Sequence, residues 1–249
     1  MATADRPTCV LLHGFTHTGR SWAPVIDRLG GRYDSIACDI RGHGDAADAV
    51  PADLENVISD VEQLAPTRFA LVGYSMGGRI ALQAALVLGP RIERLVLIGA
   101  SPGIADAGER ARRRAADERL ADEIEQSTIE QFSASWARTP VLSGQPPEVL
   151  AAVQVDRLRN KPAGLARALR GLGTGALPSL WSALGEIAAP TTLVVGERDA
   201  KFTAVASAMA AQIPDVEIVV VPGAGHAVHL EAPAQVAEII AEPDTQRGR

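Results

Sequence analysis

The chain alternates short apolar runs with longer stretches of helical periodicity. Continuous apolar runs of five or six residues are typical of strands that are covered on both faces of a parallel sheet. Six runs predict strands at Thr8–Leu12, Ser35–Asp39, Phe69–Tyr74, Leu95–Gly99, Thr191–Gly196 and Glu217–Val221. Helical patterns lie between them, at Trp22–Leu29, Leu54–Leu64, Met76–Leu88, Ala204–Gln212 and Ala234–Ala241. This alternation predicts an α/β fold with a mostly parallel six-stranded sheet and helices on both faces.

The strand pattern disappears between residues 101 and 187. Four helical patterns occupy this stretch, at Glu109–Glu123, Ile124–Trp136, Pro147–Leu158 and Gly164–Leu169. An insertion that follows the carboxyl end of a parallel strand is well placed to cover the ligand crevice. We therefore predict a core formed by residues 1–100 and 188–249, with residues 101–187 as a helical lid. The alternative is a separate accessory domain for protein contacts.

Composition excludes several classes of function. A chain of 249 residues with 47% hydrophobic content can bury one sizeable core. The net charge of -6 argues against general binding of nucleic acid, which needs a basic surface. No apolar run has the length of a signal peptide or a membrane span, so we expect a cytoplasmic protein with no membrane association. Cys9 and Cys38 lie in predicted strands and are expected to be free thiols.

One strand-to-helix junction carries the candidate chemistry. Ser75 lies at its apex, in the pattern Gly73-Tyr74-Ser75-Met76-Gly77. Such a turn holds the serine in a strained backbone conformation and exposes its hydroxyl above the sheet. Gly73 and Gly77 are required because a side chain at either position would collide where helix and strand cross. The alternative, a glycine-rich turn with an incidental serine, is the weaker interpretation.

A serine that acts as nucleophile or base needs an imidazole beside it and a carboxylate behind the imidazole. Of the five histidines, His226 is the best candidate because it follows the last strand on a glycine-rich loop. His229 is its rival in the same segment. Asp199 follows the fifth strand and is the candidate carboxylate, although it could instead serve only as a helix N-cap. The chain order Ser75, Asp199, His226 is the order expected on an α/β-hydrolase sheet.

On these residues the chain resembles the α/β-hydrolase superfamily along its full length. The resemblance implies an oxyanion hole formed by two backbone N–H groups, from Met76 after the serine and from Phe15 after the first strand. Preorganised donors of this kind contribute roughly 3 to 4 kcal/mol each to the stabilisation of a developing oxyanion. Hydrolysis of an ester is the default activity of such chains.

Arginines argue against that default. Arg79 lies one helical turn after Ser75, and side chains on a helix lean towards its N-terminus, so its guanidinium can reach back to the site. Further arginines occur in the predicted lid, at Arg110 and 112–114 and at Arg157 and Arg159. A buried guanidinium without an anion is costly. We therefore expect a small-molecule substrate with several carboxylates, while Arg112 and Arg114 fit a solvated helix face.

The detailed pattern is similar to the 2-succinyl-6-hydroxy-2,4-cyclohexadiene-1-carboxylate synthases of menaquinone biosynthesis. The matching segments are Val72-Gly73-Tyr74-Ser75-Met76-Gly77-Gly78-Arg79, Ser101-Pro102-Gly103-Ile104, Glu109-Arg110-x-x-Arg113 with Asp117, Trp136, Leu158-Arg159-Asn160, Gly196-Glu197-Arg198-Asp199-x-Lys201-Phe202 and Gly225-His226. The resemblance implies that arginines at 79, 113 and 159 hold the three carboxylates of the substrate. It also implies that Tyr74 and Trp136 line the pocket; Arg113 is chosen among its neighbours for its spacing from Arg110 and Asp117.

The activity implied by this resemblance is elimination of pyruvate without addition of water. Ser75, activated by His226 and Asp199, would remove a ring proton, and the enolate would rest on the Phe15 and Met76 amides. No cofactor and no metal are expected. Two alternatives remain: a serine hydrolase for a carboxylated ester or carbon-carbon substrate, and a non-catalytic ligand receptor on the same fold. The sequence predicts nothing about oligomeric state.

Overall fold

The sheet consists of six parallel strands. The computed structural model describes residues 6–139 and 144–242, so both ends of the predicted core, residues 1–5 and 243–249, lie outside the described residues. The strands are β1 (Thr8–Leu12), β2 (Asp34–Cys38), β3 (Phe69–Tyr74), β4 (Ile92–Ile98), β5 (Thr191–Gly196) and β6 (Val216–Val221). They are arranged in the order β2-β1-β3-β4-β5-β6, and every neighbouring pair is parallel. The predicted parallel six-stranded α/β sheet is confirmed.

Helices connect the strands and form the inserted segment. In chain order they are α1 (Ala23–Leu29), α2 (Leu54–Leu64), α3 (Met76–Leu88), α4 (Ala107–Glu125), α5 (Ile129–Trp136), α6 (Pro147–Arg157), α7 (Pro162–Leu172), α8 (Ala200–Ala210), α9 (Val228–Glu231) and α10 (Pro233–Ala241). None of them combines the length and apolarity needed to cross a membrane, within the ranges that the structure describes.

The predicted helix Ile124–Trp136 was wrong at its start. Helix α4 continues through Ile124 and ends at Glu125, and α5 begins afresh at Ile129. Thr128 causes the break, because its hydroxyl accepts a hydrogen bond from the Gln131 N–H while the Gln131 side chain accepts one from the Thr128 N–H. This reciprocal capping box satisfies donors that a new helix would otherwise leave unpaired.

Apolar side chains cover both faces of the sheet. One layer contains the buried faces of α1 and α10, including Val25 and Ile240. The other contains those of α2, α3 and α8, including Val57, Ile80 and Met209. The strands between these layers are buried on both faces, which explains their continuous apolar runs.

The inserted segment has a small core of its own. Side chains of α4, α5 and α7 form it, namely Ala121, Ile124, Phe132, Leu165, Ala166 and Leu169. Leu177 and Leu184, near its C-terminal end, pack instead into the apolar layer on the sheet. The lid boundaries at residues 101 and 187 therefore stay a prediction. Because all strands are parallel, the loops after β1, β3, β5 and β6 meet at one edge of the sheet, and the candidate residues lie there.

Candidate active site

Ser75 lies at a strained turn between β3 and α3. Its backbone angles are φ 50° and ψ −106°, a conformation that a side-chain-bearing residue adopts only when its surroundings enforce it. A Cβ on Gly73 would lie 2.5 Å from the Gly77 carbonyl oxygen, and a Cβ on Gly77 would overlap the carbonyl of Leu12. The close crossing of helix and strand thus explains both glycines and exposes the Ser75 hydroxyl at the sheet edge.

Ser75, His226 and Asp199 form a hydrogen-bonded chain. His226 Nε2 lies 3.3 Å from Ser75 Oγ, and His226 Nδ1 lies 2.6 Å from Asp199 Oδ2. His226 is only 7% exposed, so this chain is largely shielded from water. A carboxylate at Nδ1 fixes the tautomer in which Nε2 can accept the serine proton. The arrangement can therefore activate the Ser75 hydroxyl as a nucleophile or as a base.

Two neighbours fix the imidazole of His226. The Phe202 ring packs against it with 4.5 Å between centroids. Gly99, with φ 53°, leaves the space that the ring occupies, since a Cβ there would lie 2.8 Å from His226 Cε1. Asp199 also caps α8, because its Oδ1 accepts a hydrogen bond from the Phe202 N–H at 3.3 Å. The capping and the histidine-orienting interpretations of Asp199 thus hold together, one for each carboxylate oxygen.

The two predicted oxyanion donors belong to the two segments next to the serine. Met76 is the first residue of α3, and the first N–H groups of a helix have no partner within it. Phe15 belongs to the loop after β1, and this loop approaches the serine, since a Cβ on Gly14 would lie 3.6 Å from Ser75 Cβ. The role of both amides stays a prediction that this geometry permits.

The other histidines have different surroundings. His13 Nε2 accepts a hydrogen bond from the Ile40 N–H at 2.9 Å, and its Nδ1 lies 2.9 Å from the Gly14 carbonyl oxygen. Burial lowers the pKa of His13 to about 4, so it is neutral and shapes the loop. His229, the rival of His226, is fully buried against the Tyr74 ring, 4.2 Å between centroids. Neither of its ring nitrogens has a hydrogen-bond partner within the described residues.

The two predicted pocket aromatics lie near the same edge. Tyr74 is buried beside His226, with 5.4 Å between ring centroids, and burial raises the pKa of its phenol. Trp136 belongs to α5 and packs edge-on against Phe15, at 5.4 Å between centroids. Trp136 therefore brings the inserted segment into contact with the loop after β1.

Arg79 is a half-buried cation one helical turn after the serine. Its N–H donates to the Ser75 carbonyl oxygen, and its Nε is shielded from water without a hydrogen-bond partner in the described ranges. Burial and the positive charge of Arg113 lower the pKa of Arg79 to about 10, so it remains charged at neutral pH. Arg113 is 46% exposed and is paired with Asp117, from Nε to Oδ1 at 2.7 Å.

Arg159, the third arginine predicted to bind the substrate, lies at an exposed position. It lines a cavity of about 470 Å³ together with Arg20 and His17. Arg157 is the buried arginine of this segment, with 2% exposure. Its Nε donates to Thr16 Oγ1 at 3.4 Å, and its Nη1 donates to the Ser133 carbonyl oxygen at 3.2 Å. Burial lowers the pKa of Arg157 to about 10, so it too is charged at neutral pH.

Helical geometry explains why Arg157, the last residue of α6, is buried. Residues four positions apart on a helix share a face. Val149, Val153 and Arg157 are spaced by four and are all buried. The spacing of the two valines was therefore the signal in the sequence that could have selected Arg157.

Known proteins with similar sequence or structure include α/β hydrolases and synthases of this type. The sequence matches the profile of the alpha/beta hydrolase family over residues 9–239. A Bacillus subtilis (strain 168) protein, provisionally named a 2-succinyl-6-hydroxy-2,4-cyclohexadiene-1-carboxylate synthase, is 37% identical across 94% of this chain and 88% of its own length. A Salmonella schwarzengrund (strain CVM19633) protein with that synthase name is 34% identical across 95% of this chain and 93% of its own. The solved structure of MenH from S. aureus superposes with a TM-score of 0.92 at 29% identity, covering 100% of this chain and 97% of that one.

Proposed function

Since the chain belongs to the alpha/beta hydrolase family and, within it, to the 2-succinyl-6-hydroxy-2,4-cyclohexadiene-1-carboxylate synthases, we propose that it eliminates pyruvate from 2-succinyl-5-enolpyruvyl-6-hydroxy-3-cyclohexene-1-carboxylate. It is thus a lyase of menaquinone biosynthesis, built on a fold that more often hydrolyses esters. The residue roles below belong to this proposal.

The observation that carries the proposal is a pair of arginines without counter-ions: half-buried Arg79, one helical turn after Ser75, and Arg157, buried against the loop after β1. Neither Arg79 nor Arg157 forms an ion pair with an acidic side chain of the described residues. Taking a cation out of water without a counter-ion costs several kcal/mol. Carboxylates of the substrate would supply those counter-ions, with Arg113 at the exposed end of the site as a third partner. A neutral ester would leave both charges unpaired.

Proton abstraction is the role that we propose for the serine. Asp199 accepts the Nδ1 proton of His226, so the lone pair on Nε2 faces Ser75 Oγ. As Ser75 Oγ removes the ring proton next to the succinyl carbonyl, its own proton passes to His226. Positioned acid-base catalysis of this kind contributes roughly 10²- to 10⁴-fold. No covalent bond between the serine and the substrate is required.

The oxyanion hole stabilises the charge that this step creates. Loss of the ring proton places negative charge on the succinyl carbonyl oxygen, which would lie on the Phe15 and Met76 N–H groups. The electron pair then moves through the ring, the bond to the enolpyruvyl oxygen breaks, and pyruvate leaves after protonation of its enolate. Water takes no part, so exclusion of water by Tyr74 and Trp136 favours elimination over hydrolysis.

A cytoplasmic location is part of the same proposal. Cys9 and Cys38 are free thiols, as expected in a reducing compartment.

The test is to supply the enolpyruvyl substrate and to follow pyruvate through lactate dehydrogenase and loss of NADH absorbance. We expect turnover by the wild type, none by Ser75→Ala with substrate binding retained, and full turnover by the matched control Ser207→Ala on the exposed face of α8. Normal turnover by Ser75→Ala would refute the assigned role. Rapid hydrolysis of a neutral nitrophenyl ester without pyruvate release would instead identify a serine hydrolase.

A further inference from the structure

The loop after β1 is held by the inserted segment as well as by the core. We call residues 14–18 the oxyanion loop, since Phe15 lies within it. The core holds its two ends: Gly14 O lies 2.9 Å from the His13 ring nitrogen, and the N–H of Gly19, the next residue after the loop, donates to Asp39 at 2.6 Å. The four residues between these points, 15–18, each contact the inserted segment.

Asn160 holds the middle of this loop. It is 4% exposed, and its Nδ2 donates to the Thr16 carbonyl oxygen at 2.9 Å. Its Oδ1 accepts a hydrogen bond from the Gly44 N–H at 3.1 Å. The carboxamide therefore joins the oxyanion loop to a second core loop, and both ends of its polar group are used.

Asp156 holds the next two residues. Its two oxygens accept hydrogen bonds from the N–H of Thr18 at 2.9 Å and from the Thr18 hydroxyl at 2.5 Å. His17 Nδ1 lies 3.5 Å from the same carboxylate. Burial alone would raise the pKa of Asp156, but the nearby His17 and the hydrogen bonds from Thr18 outweigh it and keep that pKa below its ordinary value.

Thr16 shows why these contacts matter. Its φ of 70° is unusual for a residue with a branched Cβ, and such strain costs roughly 1 to 3 kcal/mol. A strained conformation persists only where its neighbours over-determine it. Arg157 holds the Thr16 hydroxyl, and Asn160 holds its carbonyl. The Phe15 N–H lies in the residue directly before this strained position.

From these contacts we infer that Asn160 and Asp156 are positioning residues, through which the inserted segment holds the oxyanion loop in the geometry that stabilises the transition state. The inference rests on the proposed function for the identity of the oxyanion.

The test uses isosteric variants of the whole protein. Asn160→Asp keeps the shape of the side chain and an acceptor for the Gly44 N–H, but it removes the N–H donor to the Thr16 carbonyl oxygen. Asp156→Asn is the second variant. We expect kcat for pyruvate release to fall by up to roughly 10²-fold, the cost of a misplacement of about 1 Å, with KM changed less than about threefold. Leu158→Ala, an exposed position of the same helix end, is the matched control and should retain wild-type values.

A second measurement separates this inference from the proposed substrate. Phenylboronic acid accepts the Ser75 oxygen on boron, and the resulting tetrahedral anion uses the oxyanion hole without any carboxylate clamp. We expect its dissociation constant to rise in Asn160→Asp and Asp156→Asn by about the same factor as kcat falls, while thermal unfolding shows that both variants are folded at the assay temperature.

The possible outcomes separate the inference about the oxyanion loop from the proposed function. Wild-type kcat and boronate affinity in both folded variants would overturn the inference and leave the proposed function intact, as would a rise in KM alone. If one variant does not fold, the other decides by the same criteria. A wild-type protein that neither releases pyruvate nor binds the boronate through Ser75 would overturn the proposed function and this inference with it.

Discussion

The contrast between Arg157 and Arg159 offers the sharpest test of how the site meets its substrate. We consider Arg157→Met and Arg159→Met, which remove the guanidinium but keep a long unbranched side chain. Arg157 is buried beside the oxyanion loop, whereas Arg159, two residues away, is exposed. The two variants therefore make the same chemical change two residues apart, and the positions differ in burial and hydrogen bonding.

The expected magnitude follows from burial. Truncation of one partner of a buried, hydrogen-bonded charge pair costs about 2 to 5 kcal/mol. A loss of about 3 kcal/mol corresponds to roughly a 10²-fold decrease in kcat/KM for Arg157→Met. Arg159→Met should change kcat/KM by less than about fivefold, because an exposed charge contributes about 0 to 1 kcal/mol.

The free energy of unfolding should not show the large difference between Arg157→Met and Arg159→Met that we expect in kcat/KM. Arg157 loses hydrogen bonds to Thr16 and Ser133, but the variant also removes a desolvated charge, and replacement of a buried charge by an apolar group is often neutral or stabilising. We therefore expect thermal unfolding within a few degrees of the wild type. The assay is the coupled release of pyruvate over a range of substrate concentrations. A large loss in Arg159→Met with wild-type kinetics in Arg157→Met would refute the reasoning from burial and restore the sequence-based assignment.

Three further predictions concern the triad and its surroundings. Asp199→Asn should lower kcat by roughly 10³- to 10⁴-fold, because the amide favours the wrong tautomer of His226; more than a tenth of wild-type turnover would contradict this. Gly99→Ala should lower kcat and change KM less, because the alanine Cβ would lie 2.8 Å from His226 Cε1 and displace the imidazole. Unchanged kinetics would show that the imidazole does not need this space. Burial holds the pKa of His229 well below 6.5 in the folded protein, so the unfolded chain binds a proton that the folded state excludes, and stability falls as pH falls below about 6.5. His229→Phe should therefore lose less stability in urea unfolding between pH 7 and pH 5, by up to about 2 kcal/mol, and an unchanged difference would contradict the neutral state of His229.

Much of the fold was predictable because it depends on local patterns. The apolar runs of β3 and β5 match the observed strands at both ends, since strands that are covered on both faces need continuous apolar sequence. The start of α5 was missed although Thr128 and Gln131 form a recognisable capping box. That error came from treating one helix-forming stretch as a single helix.

Those residues of the candidate site that depend on local patterns could also be predicted from the sequence. Ser75, Asp199 and His226 could be proposed from the sequence because each directly follows a predicted strand, and the carboxyl ends of parallel strands meet at one edge. Arg79 could be proposed because its position relative to Ser75 is set within a single helix. In each case a short stretch of chain, or one rule of sheet topology, was sufficient.

The sequence by itself therefore determined the parallel sheet, the serine turn and the presence of several arginines that require anions. Only the tertiary structure decided which arginine of this segment is buried and which side chains contact the loop after β1. Thr16 and Asn160, for example, are 144 positions apart and meet only because the inserted segment docks on the loop after β1. Local periodicity records which face of a helix is buried, but not the surface against which that face packs, because docking depends on side chains from distant parts of the chain at once.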